Sequence, residues 1–262
     1  MKFQPETLDP VCEAVVAHID AALLKNRKSQ PPRKYLGASR IGDECERKLA
    51  YEYHQTEKDA GSDFKGKTLR IFDMGHDGEA RMAEYLQLAG FQLQTHVDGK
   101  QIAISDADGK FKGHLDGYIH GGPDILGLKY PCLWENKALG DKSWKDVVNK
   151  GIKASKPVYY AQVQVYMGYK DLESCLFTCL NRDTGEIHVE LIKFNSRDCQ
   201  DYIDKVVRLV KTEAPEEAVK VSKDPADFRC KFCDYRQRCH STQPSNTKPN
   251  PTDITPQWLR KN

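Results

Sequence analysis

The stretch Phe111-Lys112-Gly113-His114-Leu115-Asp116-Gly117-Tyr118-Ile119, followed by Cys132-Leu133-Trp134-Glu135-Asn136-Lys137-Ala138, decides how this chain is read. Both segments are apolar and alternate like strands, and the turn-rich link between them lets them lie side by side. They carry two acids and a lysine. Burying an unpaired carboxylate costs on the order of several kcal/mol or drives it to take up a proton. A divalent cation would stabilise both acids, so the pattern points to a metal-dependent hydrolytic site.

The Glu-x-Lys element alone is weak. With 30% charged residues it arises by chance, and Glu46-Arg47-Lys48 repeats it. Asp63-Phe64-Lys65, Asp98-Gly99-Lys100 and Asp108-Gly109-Lys110 satisfy the looser acid-x-Lys form. Context separates the candidate from these copies, because strand alternation puts Glu135 and Lys137 on one face. The competing explanation is a cross-strand acid–lysine pair on a solvated sheet face.

At 262 residues and 39% hydrophobic content the chain can build a substantial core, yet its mean hydropathy of −0.68 describes a soluble, charge-rich protein. No apolar run approaches the roughly 20 residues that span a bilayer. Met1-Lys2-Phe3-Gln4-Pro5-Glu6 lacks the apolar core of a secretory signal, so cytoplasmic residence (host cytoplasm if the source is viral) is expected. A net charge of +2 confines any nucleic-acid surface to local patches such as Lys25-Asn26-Arg27-Lys28 with Arg33-Lys34.

Apolar spacing through Val11, Val15, Val16, Ile19, Ala22 and Leu23 predicts an amphipathic helix from Asp9 to about Lys28, ended by Pro31-Pro32. A second helix is expected from Ser39 to about His54. A third runs from Thr68 to Ala89, burying Leu69, Phe72, Met82, Tyr85 and Leu86, with Gly75 and Gly78 as points of close approach. The period then changes to two: strands are expected over Phe91–Val97, Gln101–Ser105, Phe111–Ile119 and Pro131–Ala138. Helices over Lys142–Lys150 and Val158–Tyr169, a hairpin of Glu173–Leu180 with Glu186–Phe194, and a helix from Ser196 to about Glu213 complete the pattern. This is an α/β domain. Residues 1–35 form an N-terminal helix and basic linker and 36–240 the main domain. Residues 241–262, rich in Ser, Thr, Pro and Asn, are expected to form a disordered tail, with Trp258 and Leu259 as a docking point.

Nine cysteines are many for a cytoplasmic chain, where clustered thiols more often bind metal than pair. Cys230-Lys231-Phe232-Cys233 and Cys239 place three thiols in one compact loop, one short of a tetrahedral set. Cys45, beside Arg47 and Lys48, is the best remote fourth ligand, and His240 is another. Spacing leaves zinc and iron–sulfur equally open. Cys12, Cys132, Cys175, Cys179 and Cys199 are expected to be buried small hydrophobes.

In combination, Asp116, Glu135-x-Lys137 and Gln162-x-x-x-Tyr166, with Cys45-Glu46-Arg47 upstream and Cys-x-x-Cys-x5-Cys downstream, resemble the PD-(D/E)XK nucleases of the RecB-like group. Within it they resemble the iron–sulfur branch, which includes CRISPR-associated RecB-like exonucleases, AddB-type nuclease domains and phage relatives. The resemblance spans Ser39 to His240. It implies a restriction-endonuclease-like mixed sheet flanked by helices, with the N- and C-terminal flanks clipped by a metal cluster. It also implies Mg²⁺ or Mn²⁺ held by Asp116, Glu135, the main chain of Asn136 and Glu79, the acid of Gly75-His76-Asp77-Gly78-Glu79. His76, nearly one turn away, competes for that last role. Lys137 would orient or deprotonate the attacking water, and Gln162 and Tyr166 would contact the DNA strand. Trp144 with Lys142 and Lys145 would stack on bases and meet phosphate.

A [4Fe–4S] cluster on Cys45, Cys230, Cys233 and Cys239, or a structural Zn²⁺, would be architectural. The implied activity is a DNA exonuclease, acting on ends and on single strands, in recombination, DNA processing or CRISPR-type adaptation. Any helicase, recombinase or adaptation partner is expected to be a separate protein, and an oligomer is compatible with the pattern. The rival is a nucleic-acid-binding module with a structural cluster and no nuclease activity.

Overall fold

The protein is described by a computed structural model over residues 9–241; the expected signal-free start, the tail beyond Ser241 and its Trp258-Leu259 point lie outside the described residues. In chain order the elements are α1 (Pro10–Ser29), β1 (Leu36–Gly37), α2 (Glu46–Tyr53), α3 (Gly66–Leu88), β2 (Leu93–Gln94), β3 (His96–Val97), β4 (Lys100–Gln101), β5 (Ala103–Asp106), β6 (Phe111–His114), β7 (Gly117–Ile119) and β8 (Cys132–Leu139). They continue with α4 (Asp141–Ser155), α5 (Pro157–Lys170), β9 (Ser174–Asn181), β10 (Ile187–Lys193), α6 (Ser196–Lys211), α7 (Phe228–Lys231) and α8 (Arg236–Ser241). The α/β class expected from the sequence is the observed one.

The main sheet runs β10-β9-β8-β7-β2. Only β8 and β9 pair in parallel, joined across α4 and α5, and their register sets Glu135 opposite Phe177 and Lys137 opposite Cys179. A smaller sheet, β1-β6-β5, stands beside it. Alternation along β8 sorts its side chains between two cores. Leu133 joins Phe177, Val163 and Tyr166 beneath α5, whereas Trp134 joins Met82, Leu86, Ile119 and Leu176 beneath α3. The site-bearing strand is thus clamped between a helix of each layer.

Gly78 explains how close one clamp comes. A Cβ there would lie 2.8 Å from the Cβ of Ala138 on β8, so the bare helix backbone rests on the strand. Gly75 meets nothing within 4 Å and is not a contact point. Phe72 and Tyr85, expected to be buried, are both 46% exposed, because α3 turns Gly66, Leu69, Gly78, Met82 and Leu86 inward instead.

Four further expectations are corrected. Residues 111–119 do not form one strand: β6 pairs with β1 and β5, β7 pairs with β2 and β8, and the chain changes sheets at Leu115–Asp116. The helix expected from Ser39 is a short 3-10 turn at Ala38–Arg40, and α2 begins only at Glu46 with Cys45 as its N-cap. Gly42 lies against the start of α5, where a Cβ would fall 2.5 Å from the Cα of Val158, and the Asp43 carboxylate accepts the Cys45 N–H at 3.0 Å. That Asx turn stops the helix. Finally, α1 buries no side chain, and Val11, Val15, Val16 and Ile19 stay exposed; the helix is tied to α3 by the Asp20–Arg70 ion pair. Cys12, on α1, is exposed rather than buried.

Candidate active site

The sheet change aims Asp116. Leu115 stays in the core and anchors to Ile102 O (2.8 Å), so the next residue bends out of both sheets. Its Oδ2 accepts the backbone N–H of Asn136 at 2.8 Å, which pins the acid to β8. Glu135 is wholly buried: Oε1 accepts from Lys137 Nζ and from Gln162 Nε2 (2.7 Å), while Oε2 has no hydrogen-bond partner. Gln162 also donates to Tyr166 Oη at 3.3 Å, so the two residues one turn apart on α5 act together on Glu135.

Lys137 Nζ lies on Glu135 Oε1, 3.0 Å from the carbonyl of Asn136 and 4.0 Å from Asp116 Oδ2. The three oxygens expected to hold a metal therefore already surround a cation, the lysine's own ammonium. Glu79, half-buried on α3, faces the same cleft, as does the exposed His76. The cleft has a volume of about 440 Å³ and is also lined by Asp116, Lys137, Gln162 and Tyr166, with Glu135 and Asn136 behind it.

Three carboxyls facing one lysine shift one another. Burial first, then the charge of Asp116, pushes Glu79 up to about 7. Burial and Asp116 push Glu135 up to about 8 against the pull of Lys137, and burial raises Asp116. Burial works against the charge on Lys137, but Glu135 and Asp116 outweigh it and raise the lysine. The raised Glu135 and the raised Lys137 conflict, since a lysine held up by Glu135 needs that acid ionised. The ammonium resting on Oε1 favours the ionised pair, leaving the excess proton among Glu79 and Asp116. Lys137 thus stays an ammonium, which suits charge stabilisation and not the removal of a proton from water.

Asn136 Oδ1 accepts from Thr178 Oγ1 (2.9 Å), which accepts from Trp134 Nε1 (3.0 Å), so the residue is locked from the α3 side of the strand. Trp144 does not stack on bases. It is buried on α4 and donates Nε1–H to Cys179 O at 2.9 Å, and Lys145 pairs with Asp141. Residues the sequence did not assign also line the cleft: Tyr35, His96, His114 and Lys112, joined by Arg33 of the basic stretch. Lys112 and His114 lie within the quoted strand, but only the β1–β6 pairing, which no local pattern announces, brings Tyr35 beside them.

The second cluster lies elsewhere. Cys45, Cys230, Cys233 and Cys239 line one cavity of about 270 Å³, with His240, Lys48 and Arg229. Each of Cys230, Cys233 and Cys239 is raised chiefly by burial and further by its thiol neighbours, Cys45 among them. Cys132, Cys175, Cys179 and Cys199 are buried apart from this group, as expected. Among the described residues no three His, Cys, Asp or Glu side chains are close enough to grip a single metal ion. No helix among them is long and apolar enough to cross a membrane.

No family model and no curated protein matches the chain. Solved structures do. The crystal structure of SSO0001 superposes with a TM-score of 0.52 at 14% identity, covering 86% of this chain and 96% of the other. The likeness is one of fold. An alkaline exonuclease (LHK-Exo) from Laribacter hongkongensis, alone and in complex with dAMP, matches at 16% identity over 74% of this chain and 90% of that one. Its TM-score is 0.48.

Proposed function

We propose that this chain is a metal-dependent deoxyribonuclease that hydrolyses phosphodiester bonds at DNA ends, acting on single strands. The observation that carries the proposal is the gathering of Asp116 Oδ2, Glu135 Oε1 and the Asn136 carbonyl around the Lys137 ammonium, with Glu135 Oε2 buried and unpartnered. A buried acid with an orphaned oxygen costs stability unless a ligand completes it. Oxygen donors of this kind suit Mg²⁺ or Mn²⁺, and Glu79, which lines the same cleft, would serve the ion through a water or hold a second one. When bound there, such an ion supplies charge relief at the phosphate and a more acidic attacking water.

The chain's own groups do the rest. Lys137, kept protonated by its acids, lies where it can meet negative charge developing on the phosphate. Gln162 orients Glu135 by holding Oε1, and Tyr166 supports Gln162. These two are positioning residues in this scheme, and their strand contact is confined to the edge of the cleft.

For the thiol cavity we propose a [4Fe–4S] cluster on Cys45, Cys230, Cys233 and Cys239, with structural Zn²⁺ as the alternative. Four thiols lining one cavity suit the cluster, whose cysteines each bind a separate iron, whereas a single Zn²⁺ would need them drawn closer together than they stand. The role of the centre is architectural, joining the start of α2 to the C-terminal loop.

The proposal predicts that Mn²⁺ releases nucleotides from end-labelled single-stranded DNA and that Asp116→Ala abolishes the release. Binding of DNA without any cleavage, under every divalent cation tried, would leave a nucleic-acid-binding module instead.

A further inference from the structure

Arg33 and Lys112 both stand over the ring of Tyr35, at 5.1 and 5.4 Å from its centroid. Among the described residues neither makes an ion pair with a carboxylate, although most basic side chains near the domain's surface clefts do. The guanidinium is seated by the backbone: Gly37 leaves it room, since a Cβ there would lie 2.6 Å from Arg33 Nη1. Gly37 is paired in register with Lys112 across β1 and β6. Gln55, at the end of α2, donates to the Arg33 carbonyl at 2.5 Å and fixes the approach to β1. Two unpaired cations and a ring are thus held at a defined place on the rim of the catalytic cleft.

That rim is shared. Arg33, Tyr35 and Gly37 line the catalytic cleft on one side and a second cavity of about 270 Å³ on the other, whose far walls are Tyr53, Lys58 and Tyr235. Tyr235 also borders the thiol cavity. An anion on the rim with a planar ring beyond it matches one ligand chemistry, a phosphate and its neighbouring base in a single strand.

We propose that the second cavity is a nucleotide subsite for single-stranded DNA. Arg33 and Lys112 hold the phosphate that links it to the nucleotide in the cleft, and Tyr35 and Tyr53 face the base. The inference rests on the nuclease reading for the direction of the strand past the carboxylates, but its test does not depend on cleavage.

The test is fluorescence anisotropy of a labelled 12-nucleotide single strand on the full chain without added divalent cation, over a range of KCl. Arg33→Gln should flatten the slope of log affinity on log salt by about 0.7, the signature of one lost phosphate contact on a single strand. Tyr35→Ala should weaken binding by roughly five- to a hundredfold with the slope unchanged, and Tyr35→Phe should bind like the parent. Arg33 is exposed, so its loss leaves the fold intact, and equal melting temperatures confirm this for each variant. Parental affinity and slope in both Arg33→Gln and Tyr35→Ala would overturn the subsite while leaving the nuclease proposal standing. Loss of binding in these variants, in a protein that never cleaves DNA, would uphold the subsite and overturn the nuclease.

Discussion

At the scale of single residues, the site is a balance of three acids against one lysine. Glu79, Asp116 and Glu135 all titrate higher folded than free, and Lys137 offsets only part of their repulsion. With Glu135 held ionised by Lys137, the proton taken up on folding rests on Glu79, which rises from an ordinary 4.5 to about 7, and on the raised Asp116. The stability they lend is complete below their unfolded value and is lost as pH rises through these folded values. The metal-free protein should therefore melt at lower temperature as pH is raised from about 5 to about 8.5, and Mn²⁺ should remove most of that slope; thermal scans across pH check both. Replacing Lys137 with Ala should lower the cleavage rate by about a hundredfold to ten-thousandfold with little change in DNA affinity, read from single-turnover kinetics. The side of β8 on which Glu135 and Lys137 lie was legible from alternation alone. The setting of Asp116 was not, because Leu115 and Gly117 keep the alternating pattern straight through a bend that only the pairing of β6 with β1 and β5 creates.

At the scale of elements, α3 and β8 form the joint that brings Glu79 to the other acids. Gly78 makes that joint, and Gly75 does not. Gly78→Ala should cost about 1–3 kcal/mol through overcrowding against Ala138, despite the better helix propensity of alanine. Gly75→Ala, in open space, should stabilise by up to about 1 kcal/mol. Urea unfolding of the two variants separates packing from propensity, and only Gly78→Ala should also slow cleavage. Helix propensity and apolar period located α3 within two residues, but not which glycine touched the sheet. For α1 the apolar spacing announced a helix correctly and its burial wrongly, since period reports a face and not what covers it. Trp144 likewise was expected, on the family resemblance, to stack on bases, and it proved to be core by its burial and its bond to Cys179.

At the scale of the whole molecule, the C-terminal loop is already fastened to α2 without help from the thiols. Arg47 N–H and Nε donate to Val219 and Ala218 carbonyls (3.0 and 2.9 Å), Asp59 N–H donates to Asp234 O (2.8 Å), and the Tyr51 and Tyr235 rings lie 5.0 Å apart. The cysteine spacing made this closure legible, since thiols almost 200 positions apart in the chain had to meet for the pattern to make sense. Its hydrogen-bonded seam was not legible, because backbone bonds leave no mark on residue identity. On the proposed cluster, Cys233→Ala should remove the brown colour and iron that such a centre confers, lower the melting temperature, and weaken single-strand binding through Tyr235. A colourless parent protein prepared without air, carrying stoichiometric zinc, would replace the cluster with the zinc alternative.

The central claim is that the buried carboxylates are kept for a divalent cation. Titration of Mn²⁺ at pH about 7.5, with the free ion followed by electron paramagnetic resonance, tests it without substrate. The account predicts saturable binding in the parent protein and its loss in Asp116→Asn, with the fold unchanged. Equal Mn²⁺ binding by the two proteins, or none by the parent, would contradict it.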